Sequence, residues 1–178
     1  MSNLSQNVGI YLIQRLYDHG VRHIFGVPGD FVLGFYEQLM QSNKLKVINT
    51  CDELGAAFAA DAYALINGLG VVCVTYCVGG LKVINVTAQA LAEKSPVVVI
   101  SGAPGIKRTH FIIRFGTQQK IFEHMTIDFV LIDNLRTAAK NIDRVLSRAT
   151  RYKSPVYIEM PRDQTSIPIY QEWYSETP

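Results

Sequence analysis

Val71-Val72-Cys73-Val74-Thr75-Tyr76, residues 71–76, is apolar with no alternation. A strand with one face in water alternates between apolar and polar residues, whereas a parallel strand covered on both faces does not. Gly68-Leu69-Gly70 breaks the chain before this run and Val78-Gly79-Gly80 turns it afterwards. Lys82 to Glu93 then reads as a helix. Pro96-Val97-Val98-Val99-Ile100-Ser101-Gly102 repeats the buried-strand signature. A strand, a crossover helix and a second buried strand define a right-handed parallel unit.

The same alternation extends in both directions. Ser5 to His19 reads as an amphipathic helix with Val8, Leu12, Ile13 and Leu16 on one face and Gly20 as its stop. Val21 to Val27 reads as a strand, Pro28-Gly29-Asp30 as a turn, and Phe31 to Gln41 as a helix burying Leu33, Tyr36 and Leu39–Met40. Lys46-Val47-Ile48-Asn49-Thr50 is a short β-branched strand, followed by an alanine-rich helix. Beyond residue 102, 105–116 reads as irregular, Gln118 to Met125 as a short helix and Phe129 to Ile132 as a strand. Leu135 to Tyr152 is a long helix with Ile142, Val145, Leu146 and Ala149 inward, and Pro155 to Met160 is the last strand. The expected fold is α/β: a doubly wound, about six-stranded parallel sheet with helices on both faces. Residues 1–168 form the expected domain and residues 169–178 a tail or linker stub.

Composition narrows the class. The chain has 178 residues, 48% of them hydrophobic and 18% charged, which is globular rather than disordered. A net charge of +2 gives no reason to expect a nucleic-acid or membrane partner. Cys51, Cys73 and Cys77 sit in apolar runs without metal-ligand spacing and are expected to be buried free thiols in a reducing compartment. The polar N-terminus and the lack of a transmembrane-length apolar run lead to the expectation of a cytoplasmic protein.

One segment carries candidate chemistry. Cys51-Asp52-Glu53-Leu54-Gly55-Ala56-Ala57-Phe58-Ala59-Ala60-Asp61-Ala62-Tyr63 places a carboxylate, Glu53, where a strand becomes a helix. In open α/β sheets ligands bind outside the carboxyl ends of the strands. A carboxylate at a helix start also caps or complements the helix dipole, and spacing alone favours that plainer role. Asp30 has the same double reading: a site residue, or an N-cap of the helix starting at Phe31.

Three segments taken in order change the balance: Phe25-Gly26-Val27-Pro28-Gly29-Asp30, the Asp52 to Tyr63 stretch, and Val97-Val98-Val99-Ile100-Ser101-Gly102-Ala103-Pro104-Gly105. With the closing Pro155-Val156-Tyr157-Ile158-Glu159-Met160-Pro161-Arg162-Asp163, the chain resembles the pyrimidine-binding domain of thiamine-diphosphate-dependent 2-keto acid decarboxylases, in the pyruvate, indolepyruvate and phenylpyruvate decarboxylase subgroup. The resemblance covers nearly the whole chain. It implies that Glu53 hydrogen-bonds the aminopyrimidine ring of thiamine diphosphate and promotes deprotonation of the thiazolium carbon. It implies that Asp30 takes part in proton transfers. It also implies that Pro28, Gly29, Thr75, Cys77, Val78 and Gly79 line the cofactor pocket, although Cys77 also reads as simple packing.

The chain departs from that family in two ways. The subgroup carries adjacent histidines in the loop after the Ser-Gly-Ala-Pro-Gly segment. Here residues 106–116 read Ile-Lys-Arg-Thr-His-Phe-Ile-Ile-Arg-Phe-Gly, with His110 alone. The family's Gly-Asp-Gly motif and downstream Asn, which hold magnesium and the diphosphate, do not occur, so the magnesium is expected on a domain missing from this chain and no metal ligand is expected on it. Two functions follow from the resemblance. One is the pyrimidine-binding half of a decarboxylase, active on a 2-keto acid only with a separate diphosphate-binding domain or chain. The other is a non-catalytic, truncated or decayed domain that only self-associates. Either way a homodimer or higher homo-oligomer is expected, because the face around the helices 55–64 and 81–92 is normally covered by another subunit.

Overall fold

The computed structural model describes residues 6–106 and 116–169. Helix α1 (Val8–Asp18) begins where the Asn7 side chain accepts a hydrogen bond from Ile10 N at 2.8 Å, and Gly20 (φ +88°) turns the chain out of it. Strand β1 (His23–Gly26), helix α2 (Leu33–Gln41), strand β2 (Lys46–Asn49) and helix α3 (Glu53–Asn67) follow. The buried run is strand β3 (Gly70–Val74). After it come the short helix α4 (Val78–Lys82), helix α5 (Ile84–Glu93) and strand β4 (Val97–Ala103). Helix α6 (Thr117–Glu123), strand β5 (Asp128–Leu131), helix α7 (Leu135–Tyr152) and strand β6 (Val156–Pro161) complete the described fold.

The six strands are all parallel, in the order β2-β1-β3-β4-β6-β5. This is the doubly wound sheet expected from the alternating pattern. The uninterrupted apolar runs have a direct explanation, since successive residues enter different cores. Val71, Cys73, Val98, Ile100, Val156 and Ile158 pack under α1, α2 and α7. Val72, Val74, Val97, Val99 and Tyr157 pack under α3, α5 and α6. On α7, the inward residues Ile142, Val145, Leu146 and Ala149 are each fully buried, as their spacing predicts. Ile169, the last described residue, is also fully buried, and its N–H donates to Gln6 O.

The alanines of α3 serve the fold directly. Ala56, Ala60 and Ala64 point into the sheet. A Cβ at Gly70 would lie 1.9 Å from Ala60 O, so a glycine there and small residues opposite let α3 sit hard against β3. Ala60 therefore belongs to the interior. The outward side of α3 is instead Phe58, Leu65 and Ile66, which are 42%, 61% and 83% exposed.

Several local expectations are corrected. The turn expected at 78–80 is the short helix α4, and the helix expected over 82–93 is α5, which starts at Ile84 after a break at Val83. On α2, Tyr36 and Leu39 are buried as expected, whereas Leu33 and Met40 are exposed and Phe35 is buried with the first two. Asp30 caps nothing: α2 starts two residues later than expected, at Leu33, from Val32, with no side-chain cap. Of the three free cysteines only Cys73 is buried. Cys51 is exposed and Cys77 half-buried. Among the described residues, no helix is long and apolar enough to cross a membrane. The histidine expectation at His110 falls in residues 107–115, outside the described residues.

Candidate functional site

The order of strands reverses between β1 and β3: the chain runs from β1 outward to β2, then returns to the other side of β1. A crevice opens at the carboxyl ends of strands at such a point. Three segments converge there. Pro28-Gly29-Asp30 leaves β1, Asp52-Glu53 leaves β2, and Thr75-Tyr76-Cys77 leaves β3.

Their contacts are close. A Cβ on Gly29 would lie 2.6 Å from Thr75 Cβ, so the β1 and β3 turns touch. A Cβ on Gly79 would lie 3.1 Å from Thr75 Cγ2 and 3.4 Å from both Cγ and Oε1 of Glu53. Four of the expected site residues, Gly29, Thr75, Gly79 and Glu53, thus form one contiguous patch. Val78 stands beside it, 75% exposed.

The capping question at α3 is resolved by Asp52. Its Oδ1 accepts from Gly55 N at 2.8 Å, so the N-cap is occupied one residue before Glu53. Glu53 is thereby released from capping. Its side chain, 18% exposed, turns towards Gly79 and Lys82. The ammonium of Lys82, on α4, lies 2.9 Å from Asp52 Oδ2 and 3.4 Å from Glu53 Oε2. The backbone donor Gly55 N, and then Lys82, hold the Asp52 carboxyl below its ordinary range; Asp52 first, then Glu53, raises the Lys82 ammonium above its own. Asp52→Ala removes both the cap and the better partner of Lys82. A Tm lower by about 2–4 °C is the expected result, read by thermal melts, with Asp52→Asn restoring it because Asn caps equally well.

Asp30 lies on the outer side of the crevice. It is 72% exposed, and its Oδ2 accepts from Arg162 at 3.0 Å. Pro28 is exposed beside it.

Cys77 links this surface to the interior. Its backbone has φ 63° and ψ −97°, outside the left-handed basin that non-glycine residues tolerate. Such a conformation costs on the order of 1–3 kcal/mol and persists only where its surroundings over-determine it. Here Cys77 N donates to Gln118 Oε1 at 2.8 Å. Gln118, fully buried at the start of α6, donates from Nε2 to Ser101 Oγ and to Tyr157 Oη, both at 2.7 Å. Tyr157 Oη in turn donates to Glu159 Oε2 at 2.5 Å, and its ring stacks on Phe122 with centroids 4.1 Å apart. Glu159 is fully buried and its other oxygen, Oε1, has no partner among the described residues. Desolvation pushes its carboxyl up to about 7, partly opposed by the Tyr157 hydrogen bond. Desolvation, then Glu159, pushes the Tyr157 hydroxyl well above its ordinary range.

Lys82, Gln118, Tyr157 and Glu159 are absent from the sequence-based site. Glu159 carried one signal, a carboxylate inside an otherwise apolar strand, since charged residues are almost never fully buried without a reason. Nothing in the local sequence marks Gln118.

Comparison with known proteins identifies the fold's lineage. Residues 6–130 match the family described as thiamine pyrophosphate enzyme, N-terminal TPP binding domain, and the chain belongs to that family. Among the curated proteins it is 35% identical over 177 residues to pyruvate decarboxylase 2 of Nicotiana tabacum, a match covering 94% of this chain and 29% of that protein. It is 35% identical over 178 residues to pyruvate decarboxylase 2 of Arabidopsis thaliana, covering 95% of this chain and 29% of that protein. The chain therefore spans under a third of the length of these relatives.

Proposed function

We propose that this chain supplies the pyrimidine half of a thiamine diphosphate site in a 2-keto acid decarboxylase, with Glu53 as the group that binds and exchanges a proton with the aminopyrimidine ring. The observation that carries this reading is the release of Glu53 from helix capping by Asp52, at the switch point of the sheet and packed closely against Gly79. The residues suit the ring: a carboxyl at Glu53 can share a proton with a ring nitrogen, and Gly79 lets the turn after β3 approach it closely. Thiamine diphosphate, when bound, supplies the carbanion-stabilising chemistry. Pro28, Gly29, Thr75, Cys77 and Val78 form the remaining wall, and Asp30 stands at the rim as a second carboxylate for proton transfer. Magnesium and the diphosphate belong on another domain or chain. A cytoplasmic setting without membrane or nucleic-acid partners is part of the same proposal.

Calorimetry of the 178-residue chain tests the division of labour. One charge-assisted hydrogen bond gives about 1.5–3 kcal/mol, less than the cost of immobilising a ligand. No tight binding of thiamine diphosphate with magnesium is expected from the chain alone, and strong binding is expected once a complementary diphosphate-binding domain is added. Submicromolar affinity by the isolated chain removes the reading.

A second reading is a non-catalytic domain that self-associates through the outward face of α3. Phe58, Leu65 and Ile66 form an apolar surface that a second copy would cover. The two readings share this contact, so association is expected under both. Sedimentation at micromolar concentration should show a dimer or larger species, and Phe58→Glu combined with Ile66→Glu should shift it to monomer with little change in melting. A clean wild-type monomer sinks the association. Ala60→Glu is unsuitable for this purpose, because it places a charge in the interior beside Gly70.

A further inference from the structure

We propose that Gln118 is a positioning residue of the pyrimidine pocket: its side-chain oxygen holds the Cys77 N–H and thereby fixes the turn that presents Val78 and Gly79 to Glu53. This rests on the reading of the crevice as a pyrimidine site and assigns a role to a residue that does not touch it.

The hydrogen-bond directions leave the Gln118 amide one orientation. Ser101 Oγ donates its proton to Gly102 O at 2.9 Å, so towards Gln118 it is an acceptor. Tyr157 Oη donates its proton to Glu159, so it too accepts from Gln118. Both Nε2 protons are therefore used inward, and Oε1 is left facing Cys77 N. A flipped amide would set donor against donor at Cys77 and acceptor against acceptor at Ser101. The Glu159–Tyr157 pair and Ser101 thus set the direction of Gln118, and Gln118 sets the Cys77 N–H.

The turn depends on that contact. From Cys77 onward, Gly80 N donates to Thr75 O at 2.9 Å and Leu81 N to Cys77 O at 2.7 Å, which close α4 but leave the Cys77 N–H for a side chain. A Cβ at Gly80 would lie 2.4 Å from Gln118 Nε2, so a glycine is what lets the amide reach the turn. The next two residues, Val78 and Gly79, form the wall beside Glu53. In a strained turn whose Cys77 N–H is held by one buried amide, loss of that amide is passed on to this wall.

Two readouts on the labelled 178-residue chain test this. The first is hydrogen exchange at the Cys77 amide. Gln118→Met keeps the volume and removes the acceptor, and exchange there should accelerate about tenfold, the size of one buried hydrogen bond, while amides of β3 and β4 keep their protection. The second is a titration with the pyrimidine fragment of the cofactor, 4-amino-5-hydroxymethyl-2-methylpyrimidine, at millimolar concentration, followed by amide shifts at Glu53, Val78 and Gly79. Wild type should shift at these positions, and Gln118→Met should shift several-fold less. If Gln118→Met does not fold, Ser101→Ala, which removes one of the two acceptors orienting Gln118, takes its place with the same expected direction in both readouts. Cys77 exchange at the wild-type rate overturns the inference, as do undiminished fragment shifts in the variant. Undiminished shifts leave the reading of the pocket standing. No fragment shift in wild type overturns that reading and this inference with it.

Discussion

In an assembly that provides the diphosphate half of the site, Glu53→Gln lowers decarboxylation by about 10²–10⁴-fold, the range for loss of a positioned acid–base group. The substitution is nearly isosteric. An amide can still hydrogen-bond a ring, but it cannot accept and return a proton. The helix keeps its N-cap, because that is Asp52 through Gly55 N. Lys82 keeps its nearer partner at 2.9 Å and loses only the one at 3.4 Å. Melting should therefore change little while turnover collapses. That separation is the check: steady-state rates and thermal melts of the same variant, side by side. A variant that keeps wild-type turnover removes Glu53 from the chemistry, and one that unfolds returns it to the plainer structural role.

The sheet was legible because its central strands carry a pattern with one physical meaning. Val71 to Val74 and Val97 to Ile100 admit no polar residue, since each successive side chain enters one core or the other. Glu53 was legible for a related reason, as a carboxylate at a strand-to-helix junction in a parallel sheet. Its neighbour's role was not. By residue type Asp52 has the stronger claim to the cap, but which residue is the last before the helix follows only from the backbone geometry, and that gives the cap to Asp52. The break between α4 and α5 at Val83 carries no glycine or proline, so no local signal marks it. The inward direction of Ala60 was not legible, because an alanine stripe signals close approach without saying to what. Gly70, ten residues on, is what it approaches. Gln118, Ser101, Tyr157 and Glu159 come from three separate elements, and their connection exists only after α6 is laid against β4 and β6. Sequence spacing does not encode such a network.

That buried network makes a second large prediction, in stability rather than turnover. Desolvation raises the Glu159 carboxyl in the folded protein from its ordinary 4.5 to about 7. Below pH 4.5 the group is protonated in both folded and unfolded chains, and its contribution to stability is fully present. Between 4.5 and 7 the unfolded chain gives up the proton and the folded chain retains it, so stability from this group falls as pH rises. Above 7 both states are ionised and the loss is complete, at roughly 3 kcal/mol. Other carboxylates act in the opposite sense: Asp52, held below its ordinary range, stabilises at higher pH and weakens the fold on acidification. The net curve therefore hides Glu159, and the comparison with Glu159→Gln isolates it. The amide stays neutral at every pH, can still accept from Tyr157, and has no ionisation to resist. Relative to wild type, the variant should gain about 3 kcal/mol between pH 4.5 and 8, a Tm difference of roughly 6–12 °C for a chain of this length. Tyr157→Phe should move the transition to higher pH, because the hydrogen bond it removes favours the ionised carboxylate. Denaturant or thermal curves for the three proteins across that range decide the matter. Parallel curves for wild type and Glu159→Gln mean that the carboxyl ionises as freely inside the fold as outside it.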